Sequence, residues 1–362
     1  MEYVKKGDVL GKDIYNQEGR ILLRRGFIMN NSMKKRLNDF GIYSLYIQDQ
    51  YSDTELEEII KPEIKQKAIQ TIKNTFKTMH SLHKDDENHS FHEGFRKRLK
   101  EQQEQSLHSL NDISKMILEG ILSQDTILVS MVDIKNKSEF LFQHAVNVSL
   151  LSLVLGKALN LNKKELEHLC LGALLHDIGK TLIPEEILWN KHKRTEGEEA
   201  IVKMHPTRGY DFLKGNMDIP SYVRIIILQH HEQINGKGYP RGMGEDIYKL
   251  SQIVSIANIY DNLTSDTPIR RAIPPHEALE YIMANAGTLF SFEMVEIFAK
   301  KIVPYPVGTL VRLSNGHVAV VKNIDPDFPS RPQIQIISNE PKEKIHLLNQ
   351  PNLVIKGICY EI

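Results

Sequence analysis

Apolar residues recur at helical spacing through the middle of the chain and at strand spacing toward both ends. Between Ser106 and Lys301 the pattern is helical almost throughout, which predicts an all-helical domain. Asn162 is the predicted N-cap of one of these helices, and Gly179 is its predicted end. The apolar face of that helix is formed by Leu166, Leu169, Cys170, Ala173 and Leu174.

Smaller units flank this domain. Residues 1–52 alternate short strand patterns, turn residues and one short helix, which predicts an α+β unit. Residues 303–362 have strand periodicity and the hairpin signal Asn315-Gly316, which predicts a small β module. The predicted fold class is therefore mainly α, with the helical domain at 131–302.

Residues 53–130 are rich in Lys, Glu and Gln and predict a helical connector. Its apolar face could pair between subunits in a homodimer or pack on its own domain, and the sequence leaves both open. The face consists of Ile60, Ile64, Ile72 and Phe76.

The connector also carries several histidines. No acidic or thiol partner recurs with them at a fixed ligand spacing, so we expect solvated helix surface rather than a metal cluster. These residues are His80, His83, His89 and His92.

Composition narrows the function. The chain has 362 residues, enough for more than one unit, and its 46 basic residues balance 46 acidic ones. This balance argues against a nucleic-acid polymer or a membrane surface as partner.

Three observations bear on where the protein is found. Two cysteines exclude a disulfide framework, and the start of the sequence lacks the apolar core of a signal peptide. The longest apolar stretch, Val148 to Leu159, is too short to span a membrane. We expect a cytoplasmic protein with a small charged ligand.

Candidate metal chemistry lies in the helical middle. A His-Asp pair stands at 176–177, and two adjacent histidines at 230–231 precede Gly-Lys-Gly-Tyr-Pro. Neutral imidazole and carboxylate are ligands of divalent transition metals. Taken alone, a histidine such as His144 or His205 is more often a hydrogen-bonded core residue than a ligand, and Asp261 fits a buried hydrogen-bonding carboxylate equally well. Glycine and proline then predict an ordered loop at a pocket mouth.

The order of these residues resembles the HD-GYP family over roughly 133–300. The paired histidines before Gly-x-Gly-Tyr-Pro separate this family from other HD phosphohydrolases. The resemblance implies an all-helical fold, two metal ions, and hydrolysis of cyclic di-GMP to linear pGpG, with GMP as an open further product. It rests on His144, His176, Asp177, His205, His230, His231, Asp261, Gly236, Gly238, Tyr239 and Pro240.

The resemblance also implies how the ligands divide. Asp177 bridges two ions about 3.5–4 Å apart. One ion is completed by His144, His176 and Asp261. The other is completed by His205, His230 and His231. Nitrogen and oxygen ligands suit several metals, with Zn, Ni or Mg also compatible, and the family favours Fe or Mn. A third ion would need a Glu where this chain has Phe140, so we expect two.

Substrate contacts are implied at Lys180, Tyr239 and Arg270, with Asp177 and Lys180 as the catalytic pair. Near Arg270 the chain departs from the family's Ser-Asp-Arg-Pro-Tyr-Arg, because Thr267 and Ile269 replace an Arg and a Tyr. This predicts weaker charge and stacking there. Glu232 could act as a base or orient an imidazole, and both readings stay open.

Two other functions remain open at this point. The same metals would serve a phosphohydrolase of another nucleotide. Alternatively, the substrate-side departures could leave a receptor that binds cyclic di-GMP with little turnover. A GGDEF-type partner protein at the Gly-Tyr-Pro loop is a further expectation from the resemblance.

Overall fold

A computed structural model describes residues 4–16, 19–40, 42, 45–48, 58–88, 93–124, 127–129, 139–190, 192–267, 270–337 and 343–359. Within these ranges the chain is mainly helical, as predicted. The helices are α1 (Asn31–Asp39), α2 (Pro62–Asn88), α3 (Glu93–Leu122), α4 (Phe140–Ala158), α5 (Lys163–Leu175), α6 (Glu185–Leu188), α7 (Glu196–Lys203), α8 (His205–Leu213), α9 (Ser221–Gln229), α10 (Lys249–Leu263), α11 (Pro275–Ala284) and α12 (Phe292–Ala299).

The core of the helical domain is built around α4, which is buried along most of its length. Helices α5 and α10 pack on it, and α8 and α9 pack on each other and continue this layer. At Gly156 of α4, an added Cβ would lie 2.7 Å from Leu169 Cδ2, so the glycine lets α4 and α5 approach closely. Asn162 caps α5 through a capping box with Glu165, as predicted.

The end of α5 differs from the prediction. The helix ends at Leu175, and the chain continues into a short 3₁₀ helix, Ile178–Leu182. Gly179 lies inside this second helix and does not have a positive φ. It is therefore not the left-handed residue that commonly ends an α-helix.

Helices α2 and α3 pack on each other and against α4 and α5. Ile60, Ile72 and Phe76 are buried in the same hydrophobic core as α4 and α5, and Ile64 packs against it. The apolar face of the connector therefore packs within its own chain, which is one of the two arrangements that the sequence left open.

The prediction of a solvated surface is wrong for one connector histidine. His80 is half-buried, and its Nδ1 lies 2.7 Å from the carbonyl oxygen of Thr181. A helical pattern does not reveal such a contact, because its partner lies 101 residues away in the chain. His89 and His92 lie outside the described residues, as does the side chain of His83.

The N-terminal unit is α+β, as predicted. Strand β1 (Val9–Leu10) pairs with β4 (Ile47–Gln48), and β2 (Ile14–Tyr15) pairs with β3 (Ile21–Leu23), both antiparallel. Leu37 of α1 is buried in a small core together with Leu10 and Ile14.

The C-terminal module is a five-stranded antiparallel sheet in the order β8-β7-β6-β5-β9. Gly316 has a φ of 89° in the turn between β5 and β6, which confirms the hairpin. Strand β8 has only three residues with a single buried position, Ile345, which is too short for a strand pattern to be visible in the sequence. The strands are β5 (Leu310–Leu313), β6 (Val318–Asn323), β7 (Gln333–Ile336), β8 (Lys344–His346) and β9 (Ile355–Ile358).

Among the described helices, α4 has the length and apolar composition of a membrane span. However, 78% of its apolar window is buried inside the fold. Such burial is typical of a core helix.

Candidate metal centre

The predicted metal ligands come together from separate helix termini in the core. His144 lies in the first turns of α4, His176 and Asp177 follow α5, His205 begins α8, and His230 and His231 follow α9. All of these except His231, which is half-buried, are almost completely inaccessible to solvent. Charged or polar groups at such depth need partners.

Gly179 brings two of these segments together. An added Cβ at Gly179 would lie only 1.9 Å from the carbonyl oxygen of His205 and 2.8 Å from the amide nitrogen of Gly209. Only a residue without a side chain fits this contact between the 3₁₀ helix and α8. The glycine therefore provides space, which sets Asp177 beside His205.

Three histidines at helix ends make the same hydrogen bond to the backbone. Nδ1 of His176, His205 and His230 lies 2.7, 2.7 and 2.8 Å from the carbonyl oxygen three residues earlier. A carbonyl oxygen only accepts, so each Nδ1 carries the proton and each neutral ring presents an Nε2 lone pair. This is how metal-binding imidazoles are oriented by their surroundings.

These Nε2 atoms converge on the carboxylate of Asp177. Its Oδ1 lies 3.2 Å from Nε2 of His205 and 3.7 Å from Nε2 of His230. Its Oδ2 lies 3.4 Å from Nε2 of His176 and 3.6 Å from Nε2 of His144. The two oxygens of one carboxylate thus face different pairs of imidazoles.

Two groups of candidate ligands follow from this geometry. One contains Asp177, His205, His230 and His231, and the other contains His144, His176 and Asp177, with ligand atoms within 4.8 Å of one another in each. Asp177 belongs to both groups, as a bridging ligand must. The two groups contain the residues of the predicted division except for Asp261, and the assignment of these residues as ligands stays a prediction.

The donor atoms fit a divalent cation. Nε2 of His176, Nε2 of His231 and Oδ1 of Asp177 are buried without a hydrogen-bond partner. Nε2 of His205 lies 3.2 Å from Nε2 of His230, although neither carries a proton when both Nδ1 atoms do. Each unsatisfied buried polar atom costs about 1–3 kcal/mol. A cation bound between these lone pairs would remove that cost.

The pKa shifts at this centre favour the protonation states that bind a metal ion. Burial lowers the pKa of His144, His205 and His231, and it lowers the pKa of His230 to about 3. These imidazoles are therefore neutral near pH 7. Burial alone would raise the pKa of Asp177, but the neighbouring ammonium of Lys180 contributes most to holding it well below its usual range.

Asp261 lies behind His144. Its Oδ2 is 2.7 Å from Nδ1 of His144, and its Oδ1 accepts a hydrogen bond of 3.0 Å from Asn147. Nε2 of His144 in turn lies 2.9 Å from Oδ1 of Asn258. Asp261 thus contacts the ring of His144, which is itself a candidate ligand. That Asp261 binds a metal ion directly stays a prediction. The roles of Asn147 and Asn258 were missed, although each lies one helical turn from a predicted ligand.

Lys180 and Tyr239 border the cluster, as expected for substrate contacts. Nζ of Lys180 is 2.6 Å from Oδ2 of Asp177. The ring of Tyr239 stacks on that of His231, with centroids 4.6 Å apart and planes inclined by 17°. Burial raises the pKa of Tyr239, so its hydroxyl remains protonated and can donate a hydrogen bond.

Arg270 lies farther along the chain, beyond α10. Its guanidinium donates a hydrogen bond to the carbonyl oxygen of Asn262, and Thr267 closes the turn by bonding both backbone groups of Arg270. None of the described contacts joins Arg270 to the metal cluster, so its substrate role stays a prediction. Ile269 lies outside the described residues.

Glu232 anchors the loop that follows the paired histidines. Its buried carboxylate accepts hydrogen bonds from the amides of Arg241 (2.7 Å) and Met243 (3.0 Å). Both of its oxygens therefore bind loop backbone, which neither sequence interpretation anticipated. Gly238 lets this loop fold back, because an added Cβ would lie 2.3 Å from the amide nitrogen of Gln233.

Phe140 and Glu139 also have structural partners. Phe140 stacks on His144, with ring centroids 5.4 Å apart and planes inclined by 11°. Oε1 of Glu139 lies 2.9 Å from Nζ of Lys73 in α2. The glutamate therefore pairs with a connector residue here.

A cleft of about 560 Å³ adjoins this centre and was not predicted. It is lined by nine residues between Asn190 and Lys203, including Lys193, Arg194 and Lys203. Nζ of Lys203 lies 5.8 Å from the centroid of the Tyr239 ring, which connects the cleft to the metal cluster. Ligand pockets commonly have volumes of this order.

Two parts of the chain match known protein families. Residues 129–292 match the HD domain family. Residues 129–292 of the chain are thus similar to an HD domain, and they carry the HD-GYP signature. Residues 310–360 match a KOW domain associated with the HD domain. The HD-GYP signature and the appended β module thus lie in one chain.

The HD-GYP relatives include enzymes of different substrates. The chain is 34% identical to the cyclic di-GMP phosphodiesterase PA4108 of Pseudomonas aeruginosa, over 58% of this chain and 51% of that protein. It is 36% identical to 3'3'-cGAMP-specific phosphodiesterase 1 of Vibrio cholerae, over 46% of this chain and 38% of that protein. The chain thus spans about half or less of the length of these relatives.

One solved structure covers most of the chain. Bd1817, an HDG"Y"P protein from Bdellovibrio bacteriovorus, is 22% identical, with a TM-score of 0.49 over 82% of this chain and 94% of that one.

Proposed function

We propose that this protein is a metal-dependent phosphodiesterase that hydrolyses cyclic di-GMP to linear pGpG. The observation that carries the proposal is the pair of ligand groups sharing Asp177. Relatives that act on cyclic di-GMP and on 3'3'-cGAMP support the class of substrate. Cyclic di-GMP is the proposed substrate, and 3'3'-cGAMP is the competing one.

A pair of divalent ions, when bound, supplies a water of lowered pKa and neutralises charge on phosphoryl oxygens. The proposed ligands are His144, His176, Asp177, His205, His230, His231 and Asp261, and the proposed metals are Fe or Mn. Donors of nitrogen and oxygen without thiolate are compatible with Fe and Mn as well as with other divalent metals, and the resemblance to the family favours Fe or Mn.

The protein's own residues have separate roles around the reacting phosphate. Lys180 holds a positive charge beside Asp177, where it can bind a non-bridging phosphate oxygen and stabilise the charge that develops. Tyr239 presents a ring and a hydroxyl donor at the edge of the cluster. Arg270 is a proposed contact to a phosphate or a guanine edge.

The cleft beside Tyr239 suits the other half of a cyclic dinucleotide. Its volume of about 560 Å³ and the basic residues Lys193 and Lys203 favour an anionic ligand of nucleotide size, whereas the guanidinium of Arg194 is already paired with Glu199. Glu196 and Glu199 also line the cleft, so the cleft as a whole has no strong positive field. An anionic ligand would be attracted close to the lysine side chains.

The remaining expectations concern partners and location. We retain a GGDEF-type partner at the Gly-Tyr-Pro loop and a cytoplasmic location as predictions. A homodimer also stays a prediction, and it would need a surface other than the buried connector face.

The test is turnover of a panel of cyclic dinucleotides. Full-length protein loaded anaerobically with Fe(II) or Mn(II) should convert cyclic di-GMP to pGpG faster than it cleaves 3'3'-cGAMP, as measured by chromatography. Asp177→Asn should be inactive. His168→Ala should keep activity, since His168 stacks on Tyr222 outside the cluster.

Each outcome has a distinct meaning. Preference for 3'3'-cGAMP would replace the substrate and keep the reaction. Tight binding of cyclic di-GMP without product in any metal state would reject the enzyme and favour a receptor.

A further inference from the structure

We propose that His80 of α2 is a positioning residue for Lys180. His80 holds the 3₁₀ helix that carries Lys180, so the connector sets the orientation of a catalytic residue. The kinetic part of this inference rests on the proposed phosphodiesterase function.

The contact is a partly buried hydrogen bond between distant parts of the chain. Nδ1 of His80 lies 2.7 Å from the carbonyl oxygen of Thr181, the residue directly after Lys180. Because a carbonyl oxygen only accepts, Nδ1 of His80 must donate. The bond is therefore the same in the neutral ring with Nδ1 protonated and in the imidazolium.

His80 belongs to one face of α2 that contacts the catalytic domain at several points. Lys73, Phe76 and His80 are spaced by three and four residues and so share a face of the helix. Lys73 pairs with Glu139, and Phe76 makes an edge contact with Phe142 at a centroid distance of 5.9 Å.

These contacts reach both sides of the metal cluster. Glu139 directly precedes Phe140, which stacks on His144. Thr181 directly follows Lys180, whose Nζ lies 2.6 Å from Asp177. Helix α2 therefore contacts the segment that carries His144 and the segment that carries Asp177, the residue shared by the two groups of candidate ligands.

The 3₁₀ helix depends on such outside support. It has only five residues, Ile178–Leu182, and 3₁₀ helices of this length have few internal hydrogen bonds of good geometry. Gly179 holds its start against α8, and Arg208 donates to the carbonyl oxygen of Leu182 at 2.7 Å. His80 holds the carbonyl beside Lys180, which the other two contacts do not reach.

The test compares two amide substitutions that differ only in length. In His80→Asn the side-chain nitrogen can take the place of Nδ1. In His80→Gln it lies nearer the position of Nε2. We expect kcat for cyclic di-GMP to fall about 3- to 10-fold in His80→Gln, the value of one neutral hydrogen bond. His80→Asn should restore most of kcat, and KM should change little in either variant.

A second readout does not need the reaction. Hydrogen exchange of the full-length protein, with and without metal, should be faster across residues 178–183 in His80→Gln than in the wild type or His80→Asn. Lys77→Ala, at an exposed position one turn before Ser81, is the control and should leave both exchange and kcat unchanged.

The outcomes separate the two proposals. Faster exchange at 178–183 without any wild-type turnover would support His80 and reject the phosphodiesterase. Turnover in the wild type, with equal exchange and equal kcat in the Asn and Gln variants, would overturn the role of His80. A parallel loss of kcat and melting temperature in both variants would overturn it as well, because it would indicate a merely structural residue.

Discussion

Gly179→Ala tests whether close packing of the 3₁₀ helix on α8 assembles the metal centre. The added Cβ would lie 1.9 Å from the carbonyl oxygen of His205, whereas ordinary contact begins near 3.4 Å. The two segments must therefore separate by about 1.5 Å, because neither side of the contact is a flexible side chain.

This movement is large compared with the spacing of the ligands. Oδ1 of Asp177 lies 3.2 Å from Nε2 of His205, and a shift of this size would take the pair out of reach of a shared ion. We expect the variant to lose the ion of the His205, His230 and His231 group. We also expect overpacking to lower the free energy of unfolding by about 1–3 kcal/mol.

The measurements are metal content by elemental analysis and unfolding in urea. Gly197→Ala is the matched control, since nothing lies within 4 Å of an added Cβ at this helical position. It should retain its metal and gain about 0.5–1 kcal/mol from the helix preference of alanine over glycine. Full metal content and activity in Gly179→Ala would refute the reasoning, because the steric argument leaves no room for an unshifted alanine.

Other predictions follow from single side chains. Lys180→Met should lower kcat roughly 100-fold in steady-state assays while metal content is retained, because a cation beside the phosphate is lost. Lys203→Met should raise KM for cyclic di-GMP about 5-fold and leave cleavage of bis(4-nitrophenyl) phosphate unchanged, since that small diester does not reach the cleft. In metal-free protein, His230 binds its proton only near pH 3 when folded, but near pH 6.5 when unfolded. Between these values the unfolded state holds the extra proton, so stability falls as the pH falls. Lowering the pH from 7 to 5 should lower the free energy of unfolding, measured in urea, by about 2 kcal/mol. His230→Gln should remove this part of the pH dependence.

The cluster of candidate metal ligands could be predicted because the chemistry of these residues is visible in residue types and order. His176, Asp177 and the paired histidines occur at helix ends, where a short motif and a local turn specify the geometry. The structure brings these side chains together. The fold class could also be predicted, since helical and strand periodicities are local properties of the sequence.

The parts that could not be predicted depend on contacts between distant segments. The space at Gly179 exists only because α8 passes over it, so the sequence indicated a helix stop instead. His80 looked like surface because its partner, Thr181, is far away in the chain. Asp261 carries the residue type of a ligand, yet which of its neighbours it contacts depends on how α10 packs on α4.

The proposed catalysis and the stability of the fold depend on the same atoms of this centre. The Nε2 atoms of His176 and His231 and Oδ1 of Asp177 are buried without partners, so the protein gives up stability to hold donors in place. A bound cation returns that stability, because a ligand that binds only the folded state shifts the folding equilibrium toward it. Contacts outside the cluster must then keep the donors converged against their mutual repulsion. Helix α2 provides such contacts at Glu139 and Thr181, and its packing therefore influences both the stability of the metal-free fold and the placement of Lys180.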